Sequence, residues 1–128
     1  MSMFQVENVC AGYSKENVIE NISFSIEAGE LIGVLGANGS GKSTLAKAVC
    51  NILPHTGKVK VGDFTVEGAK ASRVAKVIGY IPQHSGISID IPVIEVVMMG
   101  FNAGLKLLEH PTKAMRDQAG EMLEYLGM

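Results

Sequence analysis

In the first third of the chain, two segments alternate polar and apolar residues, and a short run that follows them is almost wholly apolar. The alternation runs through residues 3–9 and again through residues 18–26, and a period of two is typical of strands with one buried face. These two segments are expected to pair antiparallel. Residues 31–35 are instead apolar almost without interruption, as in strands that are covered on both faces. The pattern therefore predicts a central parallel strand after the antiparallel pair.

Short helical and extended patterns follow one another through the middle of the chain. Leu45, Val49 and Ile52 lie on one helical face, which predicts a helix over residues 43–52 that Pro54 ends. The further predicted elements are strands over 57–61 and 64–66, a short helix over 70–75 and an apolar strand over 77–81. The mixture of helices and strands predicts the α/β class.

From residue 91 onward the apolar positions change to a helical period. Apolar residues recur at spacings of three and four, which is the pattern of a helix with one buried face. The two sets are Ile94, Val97, Met98 and Phe101, and then Ala119, Met122, Leu123 and Leu126. This part of the chain is therefore predicted to form two amphipathic helices.

Composition excludes several classes of protein. The chain has 128 residues, of which 47% are hydrophobic and 19% charged, so a core is expected and a disordered chain is excluded. A net charge of -2 gives no general attraction to nucleic acid, and no nucleic-acid partner is expected. No apolar run approaches the roughly 18–20 residues of a membrane span, and no secretion signal is visible. The expected location is the cytoplasm, free or bound to a membrane surface.

Glycine is over-represented, and its distribution points to the candidate chemistry. Fifteen of the 128 residues are glycine, and four of them, Gly33, Gly36, Gly39 and Gly41, fall within nine positions. Residues 36–43 read GANGSGKS and fit the phosphate-binding pattern G-x-x-x-x-G-K-[ST] between a predicted strand and a predicted helix. Glycines let successive backbone N–H groups converge on phosphates, and the following helix adds its positive N-terminal end. A nucleotide site is therefore predicted here.

Individual residues of this P-loop have distinct expected roles. Lys42 can reach the β- and γ-phosphates, and the Ser43 hydroxyl is placed to ligate Mg²⁺. The predicted nucleotide-binding residues are Gly36, Asn38, Gly39, Ser40, Gly41, Lys42, Ser43 and Thr44. The loop alone leaves the reaction open, because GTPases, small-molecule kinases and transport ATPases share it. The guanine-reading pattern N-K-x-D is absent from the sequence, which argues against a GTPase.

A longer stretch around the loop resembles a known family. Residues 22–45, ISFSIEAGELIGVLGANGSGKSTL, resemble the amino-terminal half of an ABC transporter ATP-binding protein. Tyr13, in Gly12-Tyr13-Ser14, stands where the family has an aromatic residue that stacks on adenine. Gln83, in the segment Tyr80-Ile81-Pro82-Gln83, resembles the glutamine loop of the family. Together these features are far more specific than the P-loop by itself.

The resemblance implies a fold and a division of roles. The fold would be a P-loop NTPase core with an antiparallel β-subdomain over residues 1–90 and the start of a helical subdomain over 91–128. Gln83 would join Lys42 in catalysis by contacting Mg²⁺ and the attacking water. The implied ligands are ATP and Mg²⁺, and the implied partners are a transmembrane permease and a second ATP-binding subunit. The protein would lie on the inner face of the cell membrane.

Several motifs of the family are missing from these residues. An L-S-G-G-Q signature, an apolar strand ending in Asp-Glu and a switch histidine do not occur in the sequence. In the family, that glutamate is the general base, and the signature closes over ATP bound to the other subunit. The chain is therefore expected to be the first half of an ABC-type ATP-binding domain and to be inactive as an ATPase by itself.

The cargo is suggested by a segment after the glutamine loop. Residues 92–100 and 111–113 are similar to importers of metal chelates such as iron-siderophore, haem or cobalamin. Pro92 stands where those importers usually have threonine, and Phe101 where they often have arginine. Two alternatives to an importer subunit are a non-transport ABC-type nucleotide-binding module and a P-loop small-molecule kinase. Tyr13 and the two strands before the loop argue against the kinase.

Overall fold

The alternating segments at the start of the chain form an antiparallel sheet. In the computed structural model, which describes residues 3–84, 86 and 89–128, strand β1 (Phe4–Ala11) pairs antiparallel with β2 (Ile19–Ile26). On its other side β1 pairs with β3 (His55–Val61), which turns back into β4 (Phe64–Thr65). The strand order is β2-β1-β3-β4. The predicted antiparallel strands are thus confirmed.

A bulge in β1 turns two valines toward the same core. In a regular strand Val6 and Val9 would face opposite sides, because side chains alternate. The pairing with β2 shifts register between these two residues, and Asn8 between them has a φ of 49°. Both valines are fully buried as a result. The core of this part of the chain consists of Val6, Val9, Ala11, Ile19, Ala48, Val59, Val66 and Val74.

Two helices contribute to this core. Helix α1 (Lys42–Val49) supplies Ala48, and the short helix α2 (Ala71–Val74) supplies Val74. The prediction extended α1 to residue 52, which is wrong at that end. Asn51 has a φ of 56°, and the N–H groups of the two residues after it donate to the Lys47 carbonyl at 2.9 and 3.2 Å. This left-handed residue ends the helix before Pro54 is reached.

The two predicted apolar strands are absent from the described residues. Residues 31–35 and 77–81 are assigned to no strand, and Leu31, Leu35 and Ile81 are 98%, 96% and 94% exposed. An apolar run favours burial, but a strand also requires a neighbouring segment that accepts and donates its backbone hydrogen bonds. The described part of the chain places no such neighbour beside either segment. The prediction of a central parallel strand is therefore wrong for this structure.

The described residues group into two units, Met1–Tyr80 and Ile81–Met128, and the second is helical. It contains α3 (Val93–Met98), a 3₁₀ helix (Met99–Gly104) and α4 (Lys113–Tyr125). The period predicted the two α-helices, but it placed Phe101 in the first of them, whereas this residue lies in the 3₁₀ helix. Met98 and Ala119 are its buried apolar residues, and Arg116 Nη1 lies 2.9 Å from a Glu95 carboxylate oxygen. None of the helices in the described residues has the length and apolar character to span a membrane. The subdomain boundary expected at residue 90 stays a prediction.

The conformation of Gly57 leads to a prediction about stability. Its φ is 88°, and an added Cβ would lie 2.5 Å from the backbone oxygens of Asn8 and Glu7. Gly57→Ala is expected to lower the free energy of unfolding by roughly 2–4 kcal/mol, because backbone strain and a clash with rigid atoms add. Urea unfolding followed by circular dichroism measures the loss.

Gly62→Ala is the matched control for this change. Gly62 also has a positive φ, 56°, but its Cβ would meet nothing within 4 Å. The control should lose only about 1 kcal/mol, from the left-handed backbone alone. Equal losses in the two variants would contradict the close approach of Gly57 to β1.

Candidate functional site

The glycine-rich loop lies directly before α1, as the motif requires. Residues 36–40 are exposed, and α1 begins at Lys42 after Gly41, whose φ is 101°. All residues of the first helical turn are described, and none of them is acidic. The positive end of the helix is therefore not neutralised from within the turn. Loop and helix together present a surface that suits an anion.

Lys42 folds back over the loop. Its Nζ donates hydrogen bonds to the carbonyl oxygens of Gly36 at 2.6 Å and Ala37 at 2.8 Å. These bonds place the ammonium group over the first residues of the motif. Phosphate oxygens at the same position would be acceptors for the same N–H groups, with the added strength of opposite charge. The lysine predicted to contact phosphate thus lies where such a contact can form.

Glycine is required at the end of the loop for a steric reason. A Cβ on Gly41 would lie 2.7 Å from the Cγ2 atom of Ile19, the first residue of β2, and φ is in the left-handed region. Gly39 also has a positive φ, 82°. Strand β2 therefore fixes the path of the loop just before α1 starts, and the backbone there can turn its N–H groups toward one point.

The remaining motif residues divide into exposed and buried side chains. Asn38, Ser40 and Ser43 are exposed, so the Ser43 hydroxyl is free to meet a ligand from solvent. Thr44 is a polar residue that is only 5% exposed, so its side chain is buried. The loop residues predicted from the motif are thus brought together at one end of α1.

Tyr13 lies against the same helix, although 34 positions separate it from Lys47. Lys47 Nζ is 3.4 Å from the Tyr13 hydroxyl oxygen, to which it donates, and 5.5 Å from the ring centroid. The pKa of the Tyr13 phenol is lowered, first by hydrogen bonding with the Thr44 side chain and then by Lys47. The ring remains 61% exposed. An aromatic face is therefore available to solvent beside the phosphate loop.

Gln83 belongs to the other unit. It is exposed and follows Ile81 and Pro82 in a segment without helix or strand at the start of Ile81–Met128. Its role as a ligand of Mg²⁺ and water stays a prediction. The loop, Lys42, Ser43 and Tyr13 are the predicted site residues that the first unit brings together.

A match to a protein-family model decides what kind of protein carries this site. The model described as "ABC transporter" matches residues 19–128, which contain the complete loop and α1. The chain belongs to the ABC transporter family. The resemblance seen in residues 22–45 therefore extends over most of the sequence.

Two relatives that match the chain are ATP-binding proteins of an import system and of a transport system. A hemin import ATP-binding protein, HmuV of Rhizobium leguminosarum, is 38% identical over 120 residues, which are 94% of this chain and 45% of the relative. The manganese transport system ATP-binding protein MntB of Bacillus subtilis is 37% identical over 130 residues, which are 98% of this chain and 50% of the relative. The chain thus spans about half the length of the curated relatives that it matches.

Solved ABC transporter structures share the fold. A nucleotide-free ATP-binding cassette superposes with a TM-score of 0.80 at 22% identity, covering 99% of this chain and 55% of the cassette. An inward-facing ABC transporter of the metal-chelate type superposes with a TM-score of 0.75 at 27% identity, covering 98% of this chain and 46% of that one. The α/β fold of an ABC ATP-binding cassette, in part, is therefore confirmed.

Sequence reasoning missed one contact made by the predicted site residues. Lys47 is not in the phosphate-binding pattern, yet it contacts Tyr13. A signal was present, because Lys47 follows Ser43 by one helical turn and so lies on the same side of α1. The partner could not be read from the sequence, since strands β1 and β2 bring Tyr13 to the helix.

Proposed function

We propose that this protein is the ATP-binding subunit of a membrane importer and couples ATP binding and hydrolysis to the movement of a solute. The observation that carries the proposal is the placement of a phosphate loop at the start of α1 and of an exposed tyrosine ring alongside the same helix. The start of α1 thus offers a binding surface for a triphosphate, and the tyrosine ring alongside this helix offers one for a base. The family and the import proteins among the relatives support the coupling to transport.

The residues at the start of α1 fit ATP with Mg²⁺. Gly41 leaves space that a side chain would fill, and the first turn carries no acidic residue among its described positions. Lys42 would exchange its two carbonyl acceptors for β- and γ-phosphate oxygens, and Ser43 would ligate Mg²⁺ with its exposed hydroxyl. ATP supplies the phosphoanhydride bond whose hydrolysis provides the energy.

Catalysis is proposed to need groups beyond these residues. Lys42 would stabilise negative charge that develops on the transferred phosphate, and Gln83 would position Mg²⁺ and the attacking water. A general base is also required, and the sequence holds neither the Asp-Glu strand nor the L-S-G-G-Q signature. We therefore propose that the 128 residues bind ATP but do not hydrolyse it by themselves.

The proposed partners follow from the resemblance and from the family. A transmembrane permease would dock on the helical segment after Gln83, and a second ATP-binding subunit would close over the nucleotide. In this arrangement the protein lies at the inner face of the cell membrane. The relatives that are named as import ATP-binding proteins support this assignment.

The proposed cargo is a metal ion or a metal chelate. The relatives include proteins named for hemin, manganese and zinc transport, and one structural neighbour is of the metal-chelate type. The departures at Pro92 and Phe101 leave open which metal-containing solute is carried. Haem and manganese are the two cargoes to test first.

Uptake in cells that carry the gene tests the import function. Deleting the gene is expected to reduce uptake of radiolabelled haem or manganese to background, because transport loses its energy source. The wild-type gene and Lys58→Ala, a change at an exposed lysine on β3, should restore uptake, whereas Lys42→Ala should not. Unchanged uptake of both solutes in the deletion strain would contradict haem and manganese as the cargo.

A further inference from the structure

The side chain that Tyr13 contacts on α1 suggests a role for Lys47 that the phosphate-binding motif does not assign. Lys47 Nζ is 3.4 Å from the Tyr13 hydroxyl oxygen and 5.5 Å from the centre of its ring. We propose that Lys47 is a positioning residue, which holds the Tyr13 ring in the orientation that stacks on the nucleotide base. The proposal rests on the proposed ATP site, whose adenine would contact Tyr13.

The backbone around Tyr13 is fixed, so its side chain is the part that needs holding. Tyr13 lies in an irregular segment between β1 and β2, where a Cβ on Gly12 would collide with the backbone oxygen of Glu16. Val18 N–H donates to the Ala11 carbonyl at 2.8 Å and closes this segment at its base. Tyr13 is 61% exposed and therefore has little packing to restrict its rotamer. The contact of Lys47 with its hydroxyl supplies that restriction.

The contact from α1 leaves the ring usable for stacking. Lys47 Nζ lies 3.4 Å from the hydroxyl oxygen and 5.5 Å from the ring centre, so it is located at the hydroxyl end of the ring and not above the middle of a face. The exposed part of the ring remains open to a planar base, which stacks by its own face. The pKa of the phenol is lowered by Thr44 and then by Lys47, as expected if both side chains interact with the hydroxyl oxygen. The contact with Lys47 thus constrains the hydroxyl end of Tyr13 from α1.

The helical position of Lys47 relates this contact to the phosphate site. Lys47 follows Ser43 by one turn of α1, so its Cα is roughly 5–6 Å further along the axis. Thr44, the other side chain that acts on the phenol, is itself a residue of the phosphate-binding motif and is buried. The orientation of the base-stacking ring is therefore set from the same rigid helix that starts at the phosphates.

The affinities of two probes distinguish a role of Lys47 in positioning the Tyr13 ring from a role in attracting the phosphates. The probes are ATP and inorganic tripolyphosphate, each with Mg²⁺, and calorimetry on the purified protein measures both affinities. Lys47→Met is expected to weaken ATP binding roughly 2- to 10-fold, because a free ring must be ordered on binding. Tripolyphosphate has no base, so its affinity should change by a much smaller factor. Lys47→Arg should restore ATP binding, since a cation with donors remains.

Two controls accompany this experiment. Lys58→Met removes the same charge from an exposed position on β3 and should leave both affinities at the wild-type values. Absorbance of phenolate against pH, with Tyr13→Phe as the reference, should show Tyr13 ionising at a higher pH in Lys47→Met. The pKa of Tyr13 is expected to rise because the cation and the hydrogen bond that this change removes favour the ionised phenol.

The outcomes distinguish this inference from the proposed function. Equal weakening of ATP and tripolyphosphate in Lys47→Met would overturn it, because the lysine would then act as a charge on the phosphates. An ATP affinity that is unchanged in Lys47→Met would also overturn the inference. If the wild-type protein also binds ATP more tightly than tripolyphosphate, the proposed ATP site is left intact by that result. A wild-type protein that binds neither probe would contradict the proposed function itself.

Discussion

Lys42→Ala is expected to weaken binding of ATP roughly 10- to 100-fold. The ammonium group lies over the first residues of the loop, and a hydrogen bond between a charged donor and a phosphate oxygen contributes roughly 1.5–3 kcal/mol. A change of about 1.4 kcal/mol in binding free energy corresponds to a factor of ten in the dissociation constant. Fluorescence anisotropy of an ATP analogue with Mg²⁺ measures the change.

The control for this prediction removes the same charge elsewhere. Lys58→Ala changes an exposed lysine on β3 and should bind the analogue as the wild-type protein does. Circular dichroism of Lys42→Ala should match the wild type, because the hydrogen bonds of Lys42 Nζ go to carbonyl oxygens of the exposed loop. A folded Lys42→Ala variant with full affinity would contradict the phosphate site at the start of α1.

The 128 residues by themselves are expected to release phosphate from ATP at the background rate. General-base catalysis contributes roughly 10²- to 10⁴-fold to such reactions, and the sequence lacks the family's Asp-Glu strand that supplies the base. The L-S-G-G-Q signature that would complete the site from a second subunit is absent as well. Phosphate release by the purified chain, at saturating ATP and Mg²⁺, is the measurement.

A binding measurement on the same preparation makes this result interpretable. The chain should bind the fluorescent ATP analogue, so that the lack of turnover cannot be attributed to a misfolded site. Robust phosphate release that disappears in Lys42→Ala would show that these residues contain a working base. The proposal that catalysis needs further groups would then be wrong.

The sequence predicted the parts of the fold that local patterns determine. Residues 22–26 alternate strictly and lie in β2, and the spacing of glycines before Lys42 predicted the loop and the start of α1. Each of these features depends on neighbours within a few positions. The amphipathic period after residue 91 likewise predicted α3 and α4.

The features that the sequence did not predict depend on distant partners or on a single backbone angle. Leu31 and Leu35 are apolar enough for a buried strand, but strand formation requires hydrogen-bonding neighbours that composition does not specify. The end of α1 depends on the left-handed conformation of Asn51. The contact of Lys47 with Tyr13 joins residues that only the folded sheet brings together. Local pattern therefore located the phosphate loop but not the residue that holds the tyrosine.

The positions of Lys42 and Tyr13 relate the two ends of the proposed nucleotide site to one helix. Lys42 lies at the start of α1, and the Tyr13 ring contacts Lys47, five residues later, which corresponds to about 7.5 Å of rise along the axis. Because a helix is rigid over this distance, the separation between the proposed phosphate and base contacts is set by the backbone of α1 and not by the loop alone.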